Sequence, residues 1–313
     1  MIYERLTMNS AKTKTLIVIA GPTAIGKTAA AIGVAKHFDT VVVSADSRQF
    51  FREMSIGTAK PSAEELAQVK HYFIDSHSIT EPFSVGDFER ECLILLDELF
   101  KRHDHVVLAG GSGLYIKAIC EGFDDLPIAD PAIREKLNLE LEQKSLNYLQ
   151  EKLKLADPLY YNQVDLGNPQ RIIRALEVFE STGNPISSYR QAAVNKRPFH
   201  IIKLALNMPR ELLYRRINDR VDMMLHQGLL AEVTSLLPYR HLNALNTVGY
   251  AEIFDYMDGA TTLDKAVEMI KQNTRRFAKR QLTWFRKDQQ FIWFDAGAPN
   301  LVEKLVEAVE NAS

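Results

Sequence analysis

A glycine loop set between an apolar run and a helical run limits the possible folds of this chain more than any other feature. Residues Gly21 to Thr28 read GPTAIGKT, which matches the pattern GxxxxGK[ST]. The run before the loop, TLIVIA, is rich in β-branched residues, and the run after it is rich in alanine. This strand–loop–helix order is typical of a P-loop, whose backbone N–H groups bind phosphate oxygens at a helix N-terminus. The sequence therefore predicts a P-loop NTPase-like α/β core.

The predicted phosphate site is the whole loop: Gly21, Pro22, Thr23, Ala24, Ile25, Gly26, Lys27 and Thr28. The glycines let the backbone curl around phosphate oxygens, Lys27 adds a positive charge, and the Thr28 hydroxyl can ligate Mg²⁺. The loop alone does not identify the substrate, because it recognises adjacent phosphates whatever they carry.

Four further apolar runs predict a parallel sheet flanked by helices. They read TVVVSAD at 40–46, HVVLAGG at 105–111, FHIIKLALN at 199–207 and FIWFDA at 291–296. Between about 122 and 197 the pattern changes to amphipathic helical stretches, with Asp130-Pro131 and Asn168-Pro169 as expected helix starts. We expect a core of residues 1–121 and 198–313, with C-terminal helices, and a helical insertion domain at 122–197.

Composition is ordinary for a globular protein. Hydrophobic residues make up 46%, charged residues 25%, and the formal net charge is −2. An RNA surface must therefore come from local clustering of charge. The two cysteines, Cys92 and Cys120, cannot form a disulfide framework. The sequence predicts neither a signal peptide nor a membrane span, so we expect a cytoplasmic protein without a membrane partner.

Asp46 is the candidate acid of the site. It follows the run TVVVSA, and ligands of open α/β sheets bind at the carboxyl ends of strands. Its carboxylate could be a metal ligand, a general base or the N-cap of the next helix. The strand at 105–109 ends in Ala109-Gly110-Gly111, without the acid that usually holds Mg²⁺ in nucleotide-hydrolysing P-loop proteins.

A basic run near the C-terminus is the candidate RNA surface. Residues 271–287, KQNTRRFAKRQLTWFRK, hold seven basic residues and no acid. On a helical wheel one face is expected to hold Arg276, Lys279, Arg280 and Lys287. The opposite face, expected to pack on the core, holds Phe277, Trp284 and Phe285. The pattern predicts RNA contacts at Arg276, Lys279 and Arg280, with a merely solvated basic face as the alternative.

Seven stretches together resemble the tRNA dimethylallyltransferase family. Besides GPTAIGKT they are SADSRQFFREMSIGTAKP, AGGSGLYIKAI, NPQRIIRALEVFESTGNPIS, RINDRVDMMLHQGLLAEV, NTVGYAEIF and NTRRFAKRQLTWFRKD, in order between about residues 15 and 295. The glycine loop alone is unspecific, whereas the ordered set is highly specific. The chain departs from the family's usual pattern at Ile25, where serine is frequent, and at Ala251, where a basic residue is frequent.

The resemblance implies a concrete reaction. A dimethylallyl group would pass from dimethylallyl diphosphate to the exocyclic amine of the adenine 3′-adjacent to the anticodon, in tRNAs reading codons that start with U. Mg²⁺ would be the cofactor and pyrophosphate the by-product, and the P-loop would hold this diphosphate rather than ATP. The partners would be the tRNA anticodon stem-loop, gripped by the insertion domain, and dimethylallyl diphosphate, with the enzyme a monomer.

The resemblance also implies roles for single residues. Asp46 matches a general base, Thr23 a donor-side or catalytic hydroxyl, and Arg220 a diphosphate contact. Lys27 and Thr28 match the diphosphate and Mg²⁺ positions. The implied tRNA contacts are Asp46, Ser47, Arg48, Gln49, Ser112, Arg134, Gln170, Arg171, Ile172, Ile173 and Arg174.

Two other classes of protein stay open. An adenine-nucleotide isopentenyltransferase or a P-loop small-molecule kinase would share the loop, but the helical insertion and the basic run favour a large RNA acceptor. An NTP-switched RNA-binding protein is the non-enzymatic alternative. The missing strand-end acid and the lack of an NKxD-type guanine motif count against it.

Overall fold

The computed structural model describes residues 13–122, 126–127, 130–190 and 196–312. Its strands are β1 (Thr15–Ala20), β2 (Val42–Ser44), β3 (His71–Tyr72), β4 (His105–Gly110), β5 (His200–Asn207) and β6 (Ile292–Asp295). They form one sheet in the order β3-β2-β4-β1-β5-β6, and every pairing is parallel. The predicted parallel α/β core is confirmed.

The helices of the described residues flank the sheet or form the insertion. In chain order they are α1 (Lys27–His37), α2 (Ala63–Gln68), α3 (Val85–Phe100), α4 (Gly113–Glu121), α5 (Pro131–Lys144), α6 (Leu146–Ala156), α7 (Pro158–Tyr161), α8 (Pro169–Thr182), α9 (Ile186–Tyr189), α10 (Arg210–His226), α11 (Leu229–Ser235), α12 (Ala251–Met257), α13 (Leu263–Phe285) and α14 (Leu301–Glu310). Short 3₁₀ turns lie at Leu237–Tyr239 and Asn243–Leu245.

The central strand β1 ends at the same edge of the sheet as its two neighbours, and the loops of the site begin at this edge. Residues 16–20 are completely buried, as expected for an apolar strand between two parallel neighbours. Its last residue, Ala20, is in register with Gly110 of β4 and Ala205 of β5. Because parallel strands in register end at the same edge, the P-loop and the residues after β4 emerge side by side.

The chain divides into two compact units, residues 1–121 with 196–313 and residues 122–195. The described residues of the second unit contain helices α5 to α9 and no strand. Both expected helix starts there are confirmed, since Asp130 accepts the Ala132 N–H at 2.9 Å and Asn168 the Arg171 N–H at 3.3 Å. The second unit has its own apolar core, centred on Leu137, Leu149, Leu153, Ile172, Ile173 and Leu176.

One predicted strand is shorter than expected, and one short strand was not expected. Strand β2 covers only 42–44 rather than 40–46, because the chain leaves the strand there to enter the turn over residues 47–50. The edge strand β3 has two residues, too few for an apolar pattern to reveal it. Helix α3 begins at Val85, because Ser84 and Asp87 form a reciprocal capping box. Among the described residues, no helix is long and apolar enough to cross a membrane.

Candidate active site

The P-loop joins β1 to α1 and presents mainly backbone. Gly26 has φ 103°, a left-handed conformation that favours glycine, and it caps α1. Ala24 and Ile25 are 3% and 1% exposed, so their side chains pack into the core and only their backbone can face a ligand. This geometry suits the predicted phosphate site, where backbone N–H groups rather than side chains hold the oxygens.

The glycines after β4 let the loops of the site approach one another. A Cβ atom on Gly110 would lie 2.2 Å from the Ala45 carbonyl oxygen, at the end of β2. A Cβ atom on Gly111 would lie 2.4 Å from Gln281 Nε2 and 3.5 Å from Lys27 Nζ. The place where many P-loop proteins carry an acid is therefore occupied here by close backbone packing against Lys27 and Gln281.

Gln281 is a site residue that was not predicted from the sequence. It lies on α13, is 7% exposed, and accepts a hydrogen bond from the Thr23 N–H at 2.9 Å. Its Nε2 donates to the Gly111 carbonyl oxygen at 2.8 Å. The side chain thus joins the P-loop to the loop after β4. A polar residue on the buried stripe of α13, beside Ala278 and Phe285, was the available signal.

Lys27, Asp46 and Arg220 come together at the edge of the sheet from three distant parts of the chain. Lys27 Nζ donates to the Pro22 carbonyl oxygen at 2.9 Å. Burial lowers the pKa of Lys27 from 10.5 to about 8, with nearby Arg220 adding to the lowering and Asp46 opposing it. A bound anion would raise this pKa again, because a nearby negative charge favours the protonated form of lysine.

Arg220 has a second arginine for a neighbour. Burial lowers its pKa from the usual arginine value, and Arg216, four residues earlier on α10, lowers it further, while Glu65 and Asp46 act in the opposite direction. Arg216 Nη2 would lie 3.6 Å from a Cβ on Gly26, so it reaches the P-loop. Arg216 was not predicted from the sequence, although its spacing from Arg220 places both on one helix face.

Asp46 does not cap a helix. Its Oδ1 accepts the Arg48 N–H at 3.1 Å, which closes a turn over residues 47–50, and the next helix is capped by Ser62. The helix-cap interpretation is therefore wrong, and the general-base and metal-ligand interpretations stay. The turn also brings the Ser47 N–H to the Ser112 hydroxyl at 2.9 Å, which joins two of the predicted tRNA-contact positions.

Two neighbouring residues that are predicted to contact tRNA, Arg48 and Gln49, differ in how many hydrogen bonds their side chains already make. Arg48 donates to the Ser47 and Asn243 carbonyl oxygens at 3.0 and 3.3 Å, while its buried Nε has no hydrogen-bond partner among the described residues. Gln49 is engaged more fully: it accepts from the Ser44 hydroxyl at 3.1 Å and donates to the Ala59 carbonyl oxygen at 3.1 Å. Gln49 therefore braces the segment after β2.

In the second unit, some residues that are predicted to contact tRNA have accessible side chains and others have buried ones. Arg134 donates to Gln170 Oε1 at 3.1 Å, and Arg134 and Arg174 each lie 3.4 Å from the buried carboxylate of Glu177. Arg171 is exposed.

Two positions of this set need a correction. Ile172 and Ile173 are both 0% exposed and pack in the core of the second unit, because they lie on the inward face of α8. Their side chains are not available to RNA, so the contact predicted for this segment rests on Gln170, Arg171 and Arg174.

The basic face predicted on α13 is present. Six residues line an open groove of about 460 Å³: Arg276, Lys279, Arg280, Thr283, Trp284 and Lys287.

The expectation of an opposite aromatic face is wrong for two of its three members. Phe285 is 1% exposed, but Phe277 and Trp284 are 38% and 39% exposed, and Trp284 lines the basic groove. The buried direction runs through Ala278, Gln281 and Phe285. Trp284 points about 100° away from Phe285, the rotation of one residue along a helix.

Two side chains near the P-loop carry oxygen donors of the kind that bind metal ions. Among the described residues, no group of three or more His, Cys, Asp or Glu side chains could hold one. The Thr28 hydroxyl at the start of α1 and the Asp46 carboxylate near Lys27 are oxygen donors of the kind that Mg²⁺ uses together with substrate phosphates.

Comparison with known proteins gives a consistent result. Residues 49–288 match the model of the family described as IPP transferase. A "tRNA dimethylallyltransferase" of Christiangramia forsetii is 54% identical over 280 residues, which cover 90% of this chain and 93% of the relative. A solved tRNA isopentenylpyrophosphate transferase from Bacillus halodurans superposes with a TM-score of 0.71 and is 36% identical, covering 95% of this chain and 96% of that one.

A more distant likeness concerns the fold alone. A eukaryotic dimethylallyltransferase, solved acting on tRNA, superposes with a TM-score of 0.74 at 24% identity and covers 96% of this chain and 78% of that one. The family match begins at Gln49, after the P-loop and Asp46, and it covers the insertion and helices α10 and α13, which carry further predicted site residues. This chain belongs to the IPP transferase family.

Proposed function

We propose that this protein transfers a dimethylallyl group from dimethylallyl diphosphate to the exocyclic amine of an adenine in tRNA, releasing pyrophosphate. The acceptor is the adenine 3′-adjacent to the anticodon, in tRNAs that read codons starting with U. One observation carries the proposal in the geometry: Arg216 and Arg220 lie beside the P-loop that carries Lys27, and the nearest strand-end acid, Asp46, has no helix-capping role. The names of the relatives supply the class of donor and acceptor.

The cations account for the leaving group. As the allylic C–O bond breaks, its electron pair moves to the diphosphate oxygen, and negative charge grows there. Lys27, Arg216, Arg220 and the loop N–H groups are positioned before the reaction to stabilise that charge. Preorganised groups of this kind commonly contribute about 10²–10³ in rate each. No acid follows β4, so the pocket keeps its positive character towards a diphosphate.

Asp46 accounts for the proton. The adenine amine is a poor nucleophile, and it must lose a proton as the new N–C bond forms. A carboxylate at the strand end can accept that proton as a general base. Thr23 contributes its hydroxyl on the donor side, and its N–H donates to Gln281 Oε1, which holds this part of the loop. The target adenine must leave the anticodon-loop stack to reach the site, at a cost of a few kcal/mol.

Mg²⁺ is part of the same proposal. The Thr28 hydroxyl would hold it together with diphosphate oxygens, and the bound ion would stabilise the negative charge of the leaving diphosphate. The oxygen donors at Thr28 and Asp46 fit this ion.

The acceptor is recognised through two sets of residues. In the first unit they are Ser47, Arg48 and Ser112 beside Asp46, and Arg276, Lys279 and Arg280 on the basic face of α13. In the second unit they are Arg134, Gln170, Arg171 and Arg174. Guanidinium groups suit phosphate oxygens, because their planar donor geometry matches them.

Radiolabelled dimethylallyl diphosphate offered with either tRNA or AMP tests the proposal. Label should enter tRNA, pyrophosphate should be released, and ATP alone should not be hydrolysed. Label entering AMP with comparable efficiency would make the protein a small-nucleotide prenyltransferase. Label in neither acceptor, with phosphate released from ATP, would contradict the proposal and favour a kinase or ATPase.

A further inference from the structure

The groove on α13 combines positive charge with an exposed indole. Four of its six lining residues are cations, Arg276, Lys279, Arg280 and Lys287, and none of the lining residues is acidic. Within the described part of the chain, no acid forms an ion pair with any of these four; Arg276 donates only to Asn273 Oδ1, at 3.2 Å. Unpaired cations around an aromatic ring attract a polyanion that also offers a flat apolar face.

The ring of Trp284 is held in place from one side. A Cβ atom on Gly113 would lie 2.2 Å from Trp284 Cδ1 and 2.3 Å from its Nε1, so the indole packs directly on the first residue of α4. The residue keeps 39% of its surface exposed. Only glycine at position 113 permits this contact. The indole is therefore a fixed platform, and stacking on it costs little ordering of the side chain.

The platform lies close to the proposed diphosphate site. Gln281, three residues earlier on α13, binds the Thr23 N–H of the P-loop. Three residues correspond to about 4.5 Å along a helix axis. On the other side, Gly113 follows Ser112, whose hydroxyl binds the Ser47 N–H next to Asp46. The groove thus begins within one helical turn of the loops that carry the proposed chemistry.

We infer that Trp284 stacks an unpaired nucleotide of the anticodon loop, next in the strand to the acceptor adenine, while the four cations hold its flanking phosphates. This inference rests on the proposed function and names the single-stranded part of the acceptor as the occupant of the groove. A duplex stem would use the cations but not the ring, because its bases are stacked on one another and present no free face. Single-stranded RNA offers both.

Fluorescence of the indole tests the inference directly. The chain has two tryptophans, Trp284 and Trp293, so Trp293→Phe leaves Trp284 as the only tryptophan emitter. An RNA anticodon stem-loop should quench this emission on binding, whereas an RNA duplex of the same length should not. Equal quenching by the duplex would overturn the inference and return the groove to phosphate binding alone.

Substitutions separate stacking from packing. Trp284→Leu should weaken stem-loop binding roughly 5- to 100-fold, the range for loss of one base–aromatic stack, and Trp284→Phe should restore most of it. The KM for dimethylallyl diphosphate should stay within about twofold in both. The matched control is Tyr239→Leu, which removes an exposed aromatic outside α13 that does not line the groove, and RNA binding should not change. Unchanged RNA binding in a folded Trp284→Leu protein would overturn the inference.

The failure of this inference can be told from failure of the proposed function. If Trp284→Leu transfers label to tRNA with wild-type kcat and KM, the platform is wrong and the proposed reaction stands. If the wild-type protein transfers no label but the stem-loop still quenches Trp284 in the Trp293→Phe variant, the platform stands and the proposed reaction is wrong.

Discussion

At the scale of single residues, Lys27 predicts a pH dependence with a definite sign. Its folded-state pKa is lowered from 10.5 to about 8, so between pH 8 and 10.5 the unfolded chain binds more protons than the folded one. The contribution of Lys27 to the free energy of unfolding therefore rises with pH across that window. Diphosphate binding has the opposite dependence, because it needs the charged amine.

We expect the Kd of dimethylallyl diphosphate to be flat below pH 8 and to rise towards about tenfold per pH unit above it. Isothermal titration over pH 7–10 would measure this. Lys27→Arg should flatten the rise, since a guanidinium stays charged. Lys27→Ala should lower kcat at least ~10²-fold, whereas Lys36→Ala, a change to an exposed lysine of the same helix, should not. A Kd that rises equally in Lys27→Arg would assign the titration to another group.

Asp46 is expected to act through its charge rather than its hydrogen bond. Asp46→Asn keeps an acceptor for the Arg48 N–H and so preserves the turn, but it removes the base. We expect kcat to fall roughly 10²–10⁴-fold, with little change in tRNA affinity. Single-turnover assays with saturating donor would measure the chemical step. Near-wild-type turnover in Asp46→Asn would rule out the base and leave Asp46 a structural turn residue.

Gln281 is expected to be a positioning residue of the P-loop. Gln281→Met keeps the approximate shape but leaves the Thr23 N–H and the Gly111 carbonyl without partners. Because each of these hydrogen bonds is worth on the order of 1 kcal/mol, the KM for dimethylallyl diphosphate should rise about tenfold, and kcat should change less. Phe285→Leu, a core change on the same helix, should lower stability without altering KM. If both variants shift KM alike, Gln281 only stabilises the fold.

At the scale of elements, helix α8 depends on its cap. Asn168 accepts the Arg171 N–H at 3.3 Å, at the turn that presents Gln170 and Arg171. Asn168→Ala should destabilise the helix start by about 1 kcal/mol, while Asn168→Asp should not. Hydrogen exchange of the first α8 amides would measure the change, expected as roughly fivefold faster exchange in the alanine variant. Unchanged exchange would show that packing alone holds this end of α8.

Helix α13 shows that the face of a helix that packs on the core cannot be found from its aromatic residues alone. Its seven basic residues made the polar face visible in the sequence. The inward face, by contrast, is formed by Ala278, the polar Gln281 and Phe285. The positions of the aromatic residues therefore predicted the wrong buried face. Trp284 is consequently part of the basic groove rather than of the core.

At the scale of the whole molecule, the net charge is close to zero. The contribution of the basic face of α13 to tRNA binding can therefore be measured apart from any general charge attraction. Changing Arg276, Lys279 and Arg280 together to Gln should weaken tRNA binding and flatten its salt dependence. The log–log slope should fall by up to ~0.7–0.9 units for each phosphate that these residues no longer neutralise. Donor affinity should change less. Filter binding over a range of KCl concentrations would measure the slopes.

The control for this experiment is an equal change of charge elsewhere. Lys36, Lys70 and Lys304 are exposed and lie outside α13, and changing them to Gln should leave the slope nearly unaltered. Equal slopes in the two triple variants would mean that the basic face of α13 does not touch RNA. If the α13 variant lost only donor binding, Arg276, Lys279 and Arg280 would be assigned to the diphosphate site instead.

The features that could be predicted from the sequence alone are local or periodic. The P-loop depends on eight consecutive residues, the sheet on short apolar runs, and the starts of α5 and α8 on one capping residue before a proline. The ordered motifs also identified the family, which the matches confirm. Each of these signals lies within a few residues of the structure it predicts, so no knowledge of distant contacts was needed.

The closure of the site, by contrast, depends on tertiary packing. Gln281 meets Thr23 across 258 positions of sequence, and Arg216 reaches Gly26, because strand register and helix packing bring them together. The same packing buried Ile172 and Ile173 and left Trp284 exposed. Contacts between distant segments depend on the direction in which each helix face points, and that direction is set by the neighbouring elements rather than by the helix's own sequence.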